Sequence, residues 1–324
     1  MPEKERNASH GKPEAFLNST RAGMLQTALA FTIWGFLPLY WKLLTRIPAH
    51  EILAHRIVWS CVFIFVLLAV LGRLNTLVPV IKDTKNLVKV MVCGFLISGN
   101  WFTYIWAINS GYVVEASMGY YINPLMVIFL ALVVLREKLT ILQFLALACA
   151  AAGVAIITFH YGKVPWAALT LAVTFALYGL AKKTVNVEAA AALALETAVV
   201  APIALLYIFL KQSSGTGAVG SVSASTTLIL FGSGIVTALP LLWFAQGVKK
   251  IPFSTVGFLQ YIAPTITLLL GILVFKESFT KVHLVSFEFI WCGLLLYSLS
   301  LTKRFRKIPW QKIPAEGSPG ANKP

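Results

Sequence analysis

Three ionisable residues, Glu51, His55 and Arg56, open the otherwise apolar run EILAHRIVWS at 51–60, and a lone acid, Glu196, stands inside ALALETAVVAP. An ionised side chain at the centre of a lipid-embedded helix costs about 2.5–3.5 kcal/mol on insertion scales, so such residues face a cavity or a partner. The chemistry they offer is limited and specific. An arginine can hold an anion, a glutamate can carry a proton, and the two can neutralise each other. Glu51, followed one turn later by His55, reads as the anchor of a helix N-terminus, where the dipole favours an acid. Arg56 lies about 7.5 Å further along, able either to face a cavity or to reach the interface by its long stem. Glu196 sits about 13 Å into its own apolar segment, near the bilayer midplane. If their segments enter from opposite faces, the two differ in depth by about 9 Å, which an arginine side chain nearly spans. The expectation is that Arg56 and Glu196 approach across a cavity in one state, and that protonation or solute binding separates them in another.

Other polar groups gather near two prolines. Pro124 and Pro264 are expected to interrupt their helices and to release the carbonyls of Tyr120 and Gln260 from the ladder; broken backbone at membrane depth survives where it lines a cavity or finds a partner. Tyr121, Asn123, Gln260 and Tyr261 flank these breaks and offer aromatic walls and hydrogen bonds. Asn100 with Tyr104, one turn apart, and Trp243 with Gln246 add amide and ring faces suited to a moderately polar pocket. Trp101, Trp106 and Trp291 read equally well as interface-belt residues, and the ACAAAG run at 148–153 as a close-packing surface. Glu288 reads as a packing or oligomer residue.

The elements that position these groups follow from composition. Of 324 residues, 58% are hydrophobic and 12% charged, more apolar surface than a soluble core can absorb, so the solvent is lipid. Apolar segments long enough to cross about 30 Å of hydrocarbon occur near 22–44, 51–71, 87–109, 112–135, 139–159, 164–181, 187–210, 226–248, 255–275 and 282–301. They must be helices, because backbone in lipid satisfies itself only in helices or closed barrels, and barrel-type alternation is missing. The expected fold is therefore an all-α integral membrane protein of ten transmembrane helices. The net charge of +15 resides in loops and tails. With the N-terminus inside, most of the basic residues, Lys182 and Lys183 among them, fall on the cytoplasmic side, which favours both termini there in a bacterial inner membrane. Membrane orientation thus explains a charge that would otherwise suggest nucleic acid.

A repeat is visible across 140 residues. SMGYYINPLMVIFLALVVLREKLT at 117–140 matches GFLQYIAPTITLLLGILVFKESFT at 257–280 at Tyr121, Ile122, Pro124, Val134, Glu137 and Thr140, paired with Tyr261, Ile262, Pro264, Val274, Glu277 and Thr280. Five spans per copy is an odd number, so the copies are expected to be inverted, a recurring design of secondary transporters. The divisions are a cytoplasmic tail at 1–21, repeats at 22–160 and 161–301, and a basic cytoplasmic tail at 302–324 suited to anionic lipid.

WGFLPLYWK at 34–42, IPAHEILAHRIVWS at 47–60, SMGYYINPL at 117–125, ALYGLAKK at 176–183 and FLQYIAPT at 258–265 closely resemble the EamA-type drug/metabolite transporters, and within them the RarD group. The resemblance runs from about Gly23 to Leu301. It implies two five-helix halves around a central cavity, with the fifth and tenth helices peripheral.

The leading expectation is a secondary carrier, an exporter of small organic metabolites or drugs by alternating access, open to proton coupling. The alternatives are an intramembrane enzyme or a channel. No HExxH, paired intramembrane acids or nucleotide loop is present, so no catalytic residue, cofactor or metal is expected. The four cysteines lack metal-site or disulfide spacing. Expected partners are a small-molecule substrate and the bilayer, without nucleic acid; a homo-oligomer is left open.

Overall fold

The computed structural model describes residues 3–276 and 280–302, and among these the regular elements are all helical. In chain order they are α1 (Glu3–Lys42), α2 (Ala49–Val70), a short 3-10 turn at Leu74–Thr76, α3 (Leu77–Lys82), α4 (Thr84–Asn109), α5 (Val113–Val133) and α6 (Ile141–Tyr161), then α7 (Trp166–Thr184), α8 (Ala189–Ser213), α9 (Ala224–Gly247), α10 (Phe253–Gln260), α11 (Ile262–Leu273) and α12 (Lys281–Ser300). The C-terminal tail beyond residue 302, and Glu277 of the repeat, lie outside the described residues. The polar leader is not separate from the first span: α1 continues through it from Glu3.

Nine stretches among the described residues are long and apolar enough to cross a bilayer, with α10 and α11 counted as one, Phe253–Leu273. The sequence led us to expect ten. The exception is α7, whose 19 residues carry Lys182 and Lys183 in the last turn, two cations that lower the apolarity of a helix with no length to spare. Large apolar side chains face outward, Phe159 at 83% and Ile141 at 84% exposure among them, as lipid permits and water would not.

The prolines differ. Pro264 follows a break at Tyr261 that separates α10 from α11, whereas α5 runs unbroken through Pro124. Only one of the two expected interruptions is therefore present. At Pro124 the backbone is packed from outside: a Cβ on Gly257 of α10 would lie 2.9 Å from the Pro124 carbonyl oxygen. That contact keeps the two helices flush.

Hydrogen bonds tie helix ends at two opposite levels. At one level Gln26 of α1 donates to Gln246 at the end of α9, and Glu137 after α5 accepts from the first amide of α10, Phe253 N. At the other, Tyr40 near the end of α1 donates to the Ile229 carbonyl, Glu51 at the start of α2 accepts from Ala218 N, and Glu115 at the start of α5 accepts from Ala167 N at the start of α7. Glu51 is thus no helix cap; it pins the loop before α9 and is 2% exposed. We call the first level the near face and the second the far face.

Positions 140 residues apart share local structure. Thr140 and Thr280 each open a helix with a capping box, completed by Gln143 and His283. Among the described residues, Arg136 and Lys276 are the non-glycine residues with positive φ, 53° and 57°, a conformation uncommon outside glycine. The outer helices α6 and α12 touch through glycine: a Cβ on Gly153 would meet the Ser286 carbonyl oxygen at 2.5 Å, and one on Gly293 the Ala146 carbonyl oxygen at 2.7 Å. Small residues permit such backbone approach in lipid. Glu288 of α12 is exposed, which removes the packing role within the monomer.

Candidate solute cavity and a buried ion pair

A cavity of about 500 Å³ lies among the helices, walled by residues from both halves of the chain. Its lining clusters toward the far face: Trp41 near the end of α1, Arg56 near the start of α2, Tyr104 late in α4, Ser117 early in α5, Leu171 early in α7 and Ile272 at the end of α11. Toward the near face the helices close on aromatic rings. Phe31, Trp34 and Phe175 line the cavity, and Phe244 packs beneath them at 5.7–5.8 Å between centroids. Tyr178 stacks on Phe244 at 6.1 Å, and Lys182 Nζ stands 5.5 Å from the Tyr178 ring centroid.

Arg56 has three close partners. Its guanidinium carbon is 4.8 Å from the ring centroids of both Trp41 and Trp101, and its Nε donates to Thr237 Oγ1 at 3.1 Å. Asn123 and Gln260 also line the cavity, and the side-chain oxygen of each is buried without a hydrogen-bond partner among the described residues. The Asn100 amide nitrogen is spent on Leu171 O and Thr174 Oγ1, both at 2.8 Å, so it ties α4 to α7.

Glu196 does not meet Arg56. Its Oε1 accepts from Lys182 Nζ at 2.5 Å, with both side chains 2% exposed. The expectation of an Arg56–Glu196 approach is corrected for this conformation, because a closer cation one helix away has taken the carboxylate. Lys182, expected among the cytoplasmic cations, is instead buried at the end of α7. Glu196 Oε2 has no hydrogen-bond partner among the described residues, and the Tyr178 hydroxyl stands beside the carboxylate without reaching hydrogen-bond geometry. Glu196 also borders a void of about 10 Å³ whose wall shares Ile97, Trp101 and Leu241 with the cavity; that is about the room one water needs.

Lys249 completes this region from the turn after α9. Its ammonium donates to the Val187 carbonyl, and burial, then the nearby positive charge of Lys182, lower its pKa to about 8, against the opposing pull of Glu196. Lys183, one residue from Lys182, turns the other way and donates to Ile251 O at 2.6 Å and Val248 O at 3.1 Å.

Of the residues singled out in the sequence, Arg56, Asn100, Tyr104, Tyr121, Asn123, Gln260 and Pro264 line the cavity. Tyr261 is fully buried and directs its hydroxyl to the Tyr121 carbonyl at 3.4 Å. Pro124 lies behind the wall against α10. Trp243 packs against the main core, and Gln246 accepts from Gln26 at 2.7 Å on the near face; neither borders the cavity. The residues that sequence reasoning missed are Lys182, Trp41, Thr237 and Trp101, the last set aside as a belt tryptophan.

A polytopic helical bundle around a solute-sized cavity has the architecture that a membrane transporter needs. The EamA-like transporter family matches residues 21–159 and again 163–299. The chain is 47% identical over 287 residues to the uncharacterized transporter YojE of Bacillus subtilis, covering 88% of this chain and 96% of that one. It is 39% identical over 278 residues to Protein RarD of Escherichia coli, covering 86% and 94%. A solved crystal structure superposes with a TM-score of 0.66 at 18% identity, covering 86% of this chain and 97% of the other, which establishes the shared fold. The chain belongs to the EamA-like transporter family, within its RarD group, and is a multi-pass protein of the bacterial inner membrane acting on a small molecule.

Proposed function

We propose that the protein is a secondary carrier of small organic solutes working by alternating access between two inverted five-helix halves, 22–160 and 161–301, with both termini cytoplasmic. The observation that carries this reading is the cavity itself, walled by both halves and biased to the far face. A cavity offset to one side of a packed aromatic floor is what one end of an alternating cycle requires. Several features support the inverted arrangement: the odd number of long helices per half with α7 as the tenth crossing, the shared turn conformation of Arg136 and Lys276, and the contact of Tyr121 with Tyr261. On the orientation favoured by the basic residues, the far face is extracytoplasmic and the cavity faces outward.

The near-face seal contains the Lys182–Glu196 pair, joined to the cavity floor through Tyr178, Phe244 and Phe175. We assign this pair the proton-coupling role: a proton on Glu196 removes the charge that neutralises Lys182, and the seal then loses its reason to stay closed.

The test is counterflow. Liposomes containing the purified chain are loaded with a bacterial metabolite extract, and isotope-labelled extract outside is followed by mass spectrometry. Accumulation of a defined set of small solutes against protein-free liposomes is expected. No labelled solute entering above that background would sink the carrier reading.

A further inference from the structure

Resting on the carrier reading above, we infer that the solute is a small organic monocarboxylate with an aromatic or branched apolar body that carries a hydrogen-bond donor. Arg56 carries the inference. The indoles of Trp41 and Trp101 each stand 4.8 Å from its guanidinium carbon, and Thr237 occupies the Nε. What remains is the Nη1/Nη2 edge, the planar fork that meets a carboxylate through two parallel hydrogen bonds. Among the described residues, ion pairs form between Arg73 and Glu188 and between Lys182 and Glu196, and none reaches Arg56. Its titratable neighbours are the phenols of Tyr120 and Tyr104, which are neutral at ordinary pH. A cation clamped in a low-dielectric cavity without a counter-charge is costly unless a ligand brings one.

Two further observations define the rest of the molecule. Asn123 Oδ1 and Gln260 Oε1 are buried acceptors in the cavity wall without partners among the described residues, and an O–H or N–H on the solute would satisfy them. The remaining walls include Phe31, Trp34 and Phe175, which favour an apolar body over a sugar-like one. A volume of about 500 Å³ exceeds what an inorganic anion fills and falls within the usual range of about 300–1,000 Å³ for organic ligands. The two indoles and the Thr237 hydroxyl hold the guanidinium, which favours one carboxylate position before the solute arrives.

The full chain in lipid nanodiscs is titrated with matched acid and amide pairs: 4-hydroxyphenylacetate with 4-hydroxyphenylacetamide, and N-acetyl-leucine with its primary amide. Quenching of tryptophan fluorescence reports binding beside Trp41 and Trp101. At least one acid is expected to bind roughly 10- to 100-fold more tightly than its amide. Arg56→Gln should erase that preference, bringing acid and amide to similar affinities, and Arg56→Lys, which keeps the charge without the fork, should retain only part of it. Should Arg56→Gln fail to fold, Thr237→Val carries the test, because it frees the Nε and should reduce the acid preference several-fold. Equal binding of acids and amides, binding of neither, or an undiminished preference in Arg56→Gln would overturn the anion assignment. Counterflow of neutral solutes alone in the liposome experiment would remove the anion class while leaving the carrier intact, so the two failures are told apart.

Discussion

Lys182 and Glu196 face each other across the α7–α8 turn with 2.5 Å between Nζ and Oε1, 14 residues apart in sequence and both withdrawn from solvent. Desolvating two charges consumes most of what their attraction returns, so the pair adds little net stability, yet losing one partner strands the other. Lys182→Met alone should therefore destabilise the protein by about 3–5 kcal/mol, and Lys182→Met with Glu196→Leu should recover most of that loss. Thermal unfolding in detergent decides it. A double variant as unstable as the single one would mean that the pair does more for the fold than neutralise itself.

Transport by the Glu196→Gln variant should lose its pH dependence, because the amide can neither gain nor release a proton while keeping the volume and one acceptor for Lys182. The readout is solute flux in liposomes with and without an imposed proton gradient. Wild-type pH dependence in this variant would move the coupling site elsewhere.

Lys249 gives a pH prediction with a definite sign. Its pKa is lowered to about 8, whereas the unfolded chain keeps the proton to about 10.4. Below pH 8 both states are charged and the folded state bears the burial penalty. Between about 8 and 10.4 the folded state has released the proton first, so this residue's contribution to stability rises with pH. Reductive methylation with ¹³C should show one resonance titrating near pH 8 that vanishes in Lys249→Met. In Lys182→Gln the midpoint should move up and in Glu196→Gln down, following the repulsion and attraction that each removes. A midpoint near 10 would contradict the packing around this amine.

Single cysteines at Lys138 and Ser214, in a background without the native four, test the orientation. A membrane-impermeant thiol reagent applied to intact cells should label position 214 and spare 138. The reverse pattern would place the termini outside and turn the cavity toward the cytoplasm.

Much of this arrangement is written in the order of residues, because in lipid a polar side chain in an apolar run stands out. Arg56, Asn123 and Gln260 are visible for that reason, and each lies in the cavity wall. What could not be read is rotation. Lys182 and Lys183 look interchangeable at the end of α7, but a helix turns about 100° between neighbours. One lysine enters the core and the other crosses to the turn after α9. Trp41 and Trp101 fail differently: an amphipathic ring fits an interface belt as well as a cation–π contact, and only the relative placement of α1, α2 and α4 distinguishes them. Pro124 and Pro264 match in sequence, yet the backbone breaks at one alone, because the outcome depends on the helix packed alongside.

The glycine contacts between α6 and α12 bear on how the halves can move. With Gly153 against Ser286 and Gly293 against Ala146, the two outer helices mesh so closely that neither can slide along the other without driving side chains into backbone. If the halves rock, this seam behaves as the spine of a book: it turns while staying shut, and the pages part most at the margin farthest from it. A bulky residue at position 153 would wedge the spine open, since even a Cβ there meets the Ser286 carbonyl oxygen at 2.5 Å, and the pages would lose their common hinge without a word of the chemistry printed on them being altered.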